Sequence, residues 1–170
     1  MRIAGPITAT KGNAMPKTPE DAGPESWHRY FAAAANNEAW TLAEAPRSRV
    51  DALALLDAAH AAAWHWQAAG NAMNRQRALM LLAQAHALAG LGQSALRYAE
   101  EMHAYFSSEP STPDWELAFM HAVHANAAHA AGEHARHVGS YAAAESALGA
   151  LADENDRAMV ARVFEHVPRP

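Results

Sequence analysis

An all-α fold is predicted by three features: the alanine content, the shortage of strand formers and the placement of the prolines. Alanine fills 45 of the 170 positions. It has the highest helix propensity because it gives up no side-chain freedom on entering a helix. Strand formers are scarce, with six Val, five Thr and two Ile, and both Ile fall in the first seven positions. A sheet needs β-branched residues at alternating positions, and the chain does not supply them. Pro46, the Pro110 and Pro113 pair, and Pro168 bound stretches without proline, and so divide the ordered chain into three helical blocks.

Residues 1–24 carry four prolines and three glycines and lack helical periodicity. They are expected to form a flexible N-terminal arm, in which Met15 offers an alternative start to Met1. Residues 25–170 are expected to fold as a single α-helical domain. Its first helix is predicted over 26–45, with Trp27, Tyr30, Phe31 and Ala34 on one stripe and a kink or frayed middle at Asn36 and Asn37. The second runs over 49–69, with Ser48 as N-cap, Asp51 three residues later and Gly70 at its C-terminal end. The third covers 73–89, capped by Asn71 or Asn74 and ended by Gly90 or Gly92. The fourth covers 93–106, with Leu96, Ala99, His103 and Phe106 inward and an Arg97–Glu101 pair outward. Thr112 as N-cap, Pro113 at the first helical position and Asp114 at the positive helix end open the fifth, which stops at Gly132. A sixth follows over 133–151, weakened by Gly139 and Gly149. Asp153 then caps a short seventh with a stripe of Met159, Val160, Val163 and Phe164. Short connections make consecutive helices antiparallel neighbours.

Composition narrows the function. The net charge is −5, which argues against nucleic acid and against a polybasic membrane contact, since both need clustered Lys and Arg. There is no cysteine, hence no disulfide, thiolate nucleophile or Cys-based zinc site. The most apolar run, 78–91, is interrupted by Gln84 and His86 and is too short to span a bilayer. The first residues do not make the continuous apolar segment of a secretory signal, so a cytoplasmic protein is expected. Gly-rich phosphate loops and Gly-x-Ser-x-Gly elbows are absent, and no cofactor is expected. Eleven histidines would carry the net charge from −5 to +6 if all were protonated.

The candidate binding residues are aromatic and imidazole side chains. His60, Trp64, His65 and Trp66 crowd the second helix, and Trp on both sides of it predicts that this helix is central. His86 on the third helix, Trp115, and His121 and His124 on the fifth complete the set. If these three helices are adjacent, His60 or His65, His86, and His121 or His124 converge on a His/Trp-lined cavity able to take a small molecule or a metal with an open coordination position. Carboxylate-x2-His spacings at Glu25/His28, Asp57/His60 and Glu100/His103 match half of a di-iron pattern, but the extra carboxylates are not evident. Packing is the simpler role for the rings, and surface placement for His129, His134 and His137.

One pattern recurs: alanine, six residues, glycine, at Ala63–Gly70, Ala83–Gly90 and Ala125–Gly132, the last two 42 residues apart. Continued in the middle copy as Leu82, Ala83, His86, Gly90, Ala95 and Ala99, it resembles the tetratricopeptide repeat, although His137 stands where that family has a small residue. The segments His60–Trp66 and Asp114–Phe119 also resemble those of a group of uncharacterised bacterial helical proteins, which implies no activity. The repeat resemblance implies stacked helical hairpins in a right-handed array of about seven helices with a concave face. The expected function is therefore a non-enzymatic helical scaffold that binds a protein or peptide or associates with itself. The alternative is a small-molecule or metal-dependent activity in the His/Trp cavity.

Overall fold

The computed structural model describes residues 15–20 and 23–170. Most of the expected arm, residues 1–14 and 21–22, lies outside the described residues. Seven α-helices follow one another: α1 (Pro24–Ala43), α2 (Ala52–Ala69), α3 (Ala72–Leu88), α4 (Gly92–Ser108), α5 (Asp114–Ala130), α6 (His134–Ala150) and α7 (Glu154–Phe164). No strand occurs among the described residues.

Each helix from α1 to α7 packs on the next, as short connections require. The odd helices also touch one another in order, α1 on α3, α3 on α5 and α5 on α7. The chain is thus two-layered, with α1, α3, α5 and α7 in one layer and α2, α4 and α6 in the other. Alanine makes this possible: Ala59, Ala62, Ala83, Ala85, Ala95, Ala99, Ala125 and Ala127 are wholly buried, so the contacts between helices are methyl-sized. Helix α3 is the spine. Its Leu81, Leu82 and Ala85 complete a core with α1 and α2, while Met80, Ala83 and Ala87 belong to a larger one with α4 to α7.

The caps refine the expected boundaries. Ser48 lies in a 3-10 turn, Arg47–Arg49, and Asp51 caps α2 instead, its carboxylate accepting the Ala54 N–H at 3.1 Å. Asn71 and Asn74 act together in a reciprocal box, each side chain accepting the other's backbone N–H. The Thr112 hydroxyl donates back to the Phe106 carbonyl, leaving Pro113 in the cap position of α5. Helix α1 starts at Pro24 and runs unbroken through Asn36 and Asn37. It buries Ala32, Ala39 and Ala43; the stripe of Trp27, Tyr30 and Phe31 forms a partly exposed cluster of its own.

Two of the three alanine–glycine copies are equivalent. Gly90 and Gly132 follow α3 and α5 with φ of 75° and 76°. Each closes a Schellman motif, with Leu91 N–H on the His86 carbonyl at 2.8 Å and Glu133 N–H on the Ala128 carbonyl at 2.9 Å. Gly70 is extended and ends α2, in the other layer, so Ala63–Gly70 is no third copy.

The end of α1 reaches across the odd-helix layer. Trp40 meets Phe119 of α5 edge-on at 5.1 Å, Glu44 pairs with Arg162 of α7 at 3.5 Å, and Arg47 donates to the Asn126 side chain at 3.1 Å and to the His166 carbonyl at 2.8 Å. The chain covers much of this face with its own side chains.

Candidate functional site

Helix α2 buries Leu55, Ala59 and Ala62 and turns the opposite face outward. At 100° per residue, Leu53, Asp57, His60 and Trp64 fall within about 60° of arc on that outer face. All four are exposed, Leu53 at 78% and Trp64 at 71%. Trp64 is the most exposed large aromatic among the described residues. The expectation that α2 is central is therefore corrected. The central helices are α3 and α5, buried almost all round, and α2 lies in the other layer with one side open. Trp66 is half-buried over Gly70, where an added Cβ would lie 3.2 Å from its ring and 2.5 Å from its carbonyl oxygen.

The histidines do not gather in one space. They meet pairwise along the helix seams. Between α1 and α2, His28 and His65 face each other Nδ1 to Nδ1 at 2.9 Å. Between α2 and α3, His60 and His86 do so Nε2 to Nε2 at 3.0 Å, with Tyr98 edge-on to His86. Between α4 and α5, the His103 ring lies 5.4 Å from that of His121 and 4.8 Å from that of His124. Between α5 and α6, the His129 and His137 rings are 5.0 Å apart. The expected convergence of His60 or His65, His86, and His121 or His124 is thus divided between separate seams, because α2 packs on α1 and α3 while the neighbour facing His121 and His124 is α4. Among the described residues no three His, Asp or Glu side chains are grouped to hold a metal ion. The carboxylates of two of the His-spaced pairs are held elsewhere, Glu25 by Arg29 at 2.6 Å and Glu100 by Arg136 of α6 at 3.3 Å.

Burial, joined at most of them by a neighbouring charge, favours the neutral form of His65, His86, His103, His121, His124 and His129. Desolvation, then the neighbouring His103, His121 and Arg136, pushes the pKa of His124 down to about 4. Its Nδ1 shares a proton with the Ser140 hydroxyl at 2.7 Å. Burial lowers His103, and burial then His103 lowers His121. Burial, then His60 and Arg97, lowers His86; burial, then His28, lowers His65. His137 was expected at the surface but is buried, donating its Nδ1–H to the Ala125 carbonyl at 3.0 Å.

Two buried polar contacts between α3 and α5 escape sequence reasoning. Glu116, wholly buried, takes Arg77 in a two-pronged ion pair at 2.6 and 2.8 Å, with the guanidinium 5.8 Å from the Trp115 ring centre. Trp115 thus shields an ion pair, its aromatic face favouring the cation. Gln84 and Asn126, also wholly buried, are hydrogen-bonded at 2.9 Å. Their signal in the sequence is register: they stand 42 residues apart, each a lone amide in an apolar stretch.

Searches against protein-family models, curated proteins and solved structures give no match to this chain.

Proposed function

We propose that the chain is a helical scaffold, built in the manner of tetratricopeptide repeats, that binds a protein or peptide through the outer face of α2. The observation that carries this reading is the exposure of Leu53 and Trp64 on one ordered helical stripe. Burying a side chain of this size contributes roughly 1.5–3 kcal/mol, and Trp is among the residues on which interfaces most depend. The face that a repeat array of this kind would offer as a groove carries Trp40, Glu44 and Arg47 from the same chain, which favours the outer face as the binding surface. No described helix is long and apolar enough to cross a membrane, in keeping with the cytoplasmic setting this reading assumes.

The test compares the intact chain with Trp64→Glu in cross-linking and sedimentation experiments on cell extract and on purified protein. The expected result is an association, with another protein or with itself, that Trp64→Glu abolishes while the circular dichroism spectrum is unchanged. A wild-type chain that sediments as an inert monomer and captures nothing would overturn the reading.

A further inference from the structure

Resting on that reading, we infer that the occupant of the α2 stripe is a second copy of this chain, docked antiparallel across a two-fold axis. The spacing of Leu53, Asp57, His60 and Trp64 is four, three, four, the alternation of an antiparallel coiled-coil seam. In an antiparallel helix pair related by a two-fold axis beside positions 58 and 59, residues whose numbers sum to 117 face each other. Leu53 then meets the second copy's Trp64, and Asp57 meets the second copy's His60. Each pair occurs twice, once on either side of the axis, as an isologous contact requires. One register satisfies the apolar residues and the polar ones together, with the carboxylate opposite an imidazole and the leucine opposite the indole.

The tautomers support the same pairing. The Nδ1 of His86 is buried without a partner. A buried N–H with no acceptor is costly, so the His86 proton sits on Nε2, where it is donated to His60 Nε2 3.0 Å away. His60 then carries its own proton on Nδ1. That leaves an exposed imidazole with an N–H turned to the outer face, where Asp57 of the second copy can accept it in place of water. The carboxylate-x2-His spacing noted in the sequence is thereby explained without a metal: the two groups serve each other across the dimer.

A single helix-on-helix strip is smaller than the roughly 1,200 Å² of total burial usual for stable complexes, so the association is concentration-dependent and in the micromolar range. Sedimentation equilibrium of the purified full chain over that range should show monomer and dimer. Trp64→Glu should weaken the dimer by on the order of tenfold or more, without changing the melting temperature, since the side chain lies outside the core. The register is tested by cysteine placement, which the Cys-free chain allows. Leu53→Cys mixed with Trp64→Cys should form a disulfide between the two variants. Leu53→Cys alone should not, because the two copies of position 53 lie about 16 Å apart along the seam. A monomer at every concentration, a dimer indifferent to Trp64→Glu, or self-linking of Leu53→Cys alone would overturn the inference. If the chain is monomeric yet captures another protein through Trp64, the scaffold reading stands and only the second copy falls.

Discussion

The hairpins α3–α4 and α5–α6 have the same bounds shifted by 42 residues, helix for helix and turn for turn. Where they agree, the residues are those that set helix spacing and helix ends: Ala83 and Ala125, Ala85 and Ala127, Gly90 and Gly132. Where they differ, the cause lies in their neighbours. Asn74 and Glu116 share a register, but Asn74 is spent on the start of its own helix, while Glu116 faces Arg77 of the preceding hairpin. Gly92 and His134 share another. A Cβ on Gly92 would lie 2.0 Å from the Ala130 carbonyl oxygen, because α4 begins against the end of α5, whereas His134 is exposed. Helix α7 stops at Phe164 and brings no equivalent helix end to that place. The repeated unit specifies the hairpin, and its position in the stack decides which residue fits each slot.

If this is right, equivalent positions should respond very differently. The largest difference is expected at the first pair. Glu116→Ala takes the two-pronged carboxylate from the largely buried Arg77 guanidinium and should cost about 3–5 kcal/mol. Asn74→Ala removes half of an exposed capping box and should cost about 1 kcal/mol. Urea unfolding of both variants makes the comparison, and similar losses would show that the ion pair is not what ties the hairpins together. Next comes Gly92→Ala, which drives a methyl group into backbone and should cost about 3 kcal/mol. His134→Ala in the same register should stay within about 0.5 kcal/mol of wild type. If Gly92→Ala melted like wild type, α4 would not begin as close to α5 as the 2.0 Å approach implies.

These pairs also show what could be seen in advance. Helix number and order, and the two stops marked by glycine, were legible because alanine, proline and glycine act locally: Gly90 and Gly132 mark their stops through a backbone angle that other residues resist. The stripe of α7 was legible for the same reason, since Met159 and Val160 stand four and three residues before Val163 and the three are buried together. The face of α2 was not. In an alanine-rich helix nearly every side is apolar enough to bury, so Trp64 and Trp66 gave no hint of which was covered; only the neighbours decide that. The histidines escaped for a related reason. Sequence identified His60, His65, His86, His121 and His124 as candidates, but which of them meet, and that His28 faces His65 while His103 faces His121 and His124, depends on helix adjacency, a tertiary fact. Arg77 with Glu116 was invisible because nothing local distinguishes a buried ion pair from two solvated charges.

A smaller contrast separates the hairpins by pH. Leu82 and His124 occupy one register, both buried, but only the second titrates. The His124 pKa is about 4 in the folded chain against an ordinary value of 6.5. Stability rises with pH wherever the unfolded chain holds more protons than the folded one. The unfolded chain takes a proton at this position below pH 6.5 and the folded chain does not, so the contribution of His124 is intact above that value and fades toward pH 4. By pH 5 the loss from this residue is about 2 kcal/mol. His86, His103 and His121 are shifted in the same direction and add to it. Urea unfolding at pH 7.5 and pH 5 should show the loss. His124→Leu, which gives the second hairpin the residue of the first, should remove most of the share assigned to His124. Equal wild-type stability at the two pH values would mean that these seams admit water and protons freely, and that the neutral imidazoles do not hold the helices together as their burial implies.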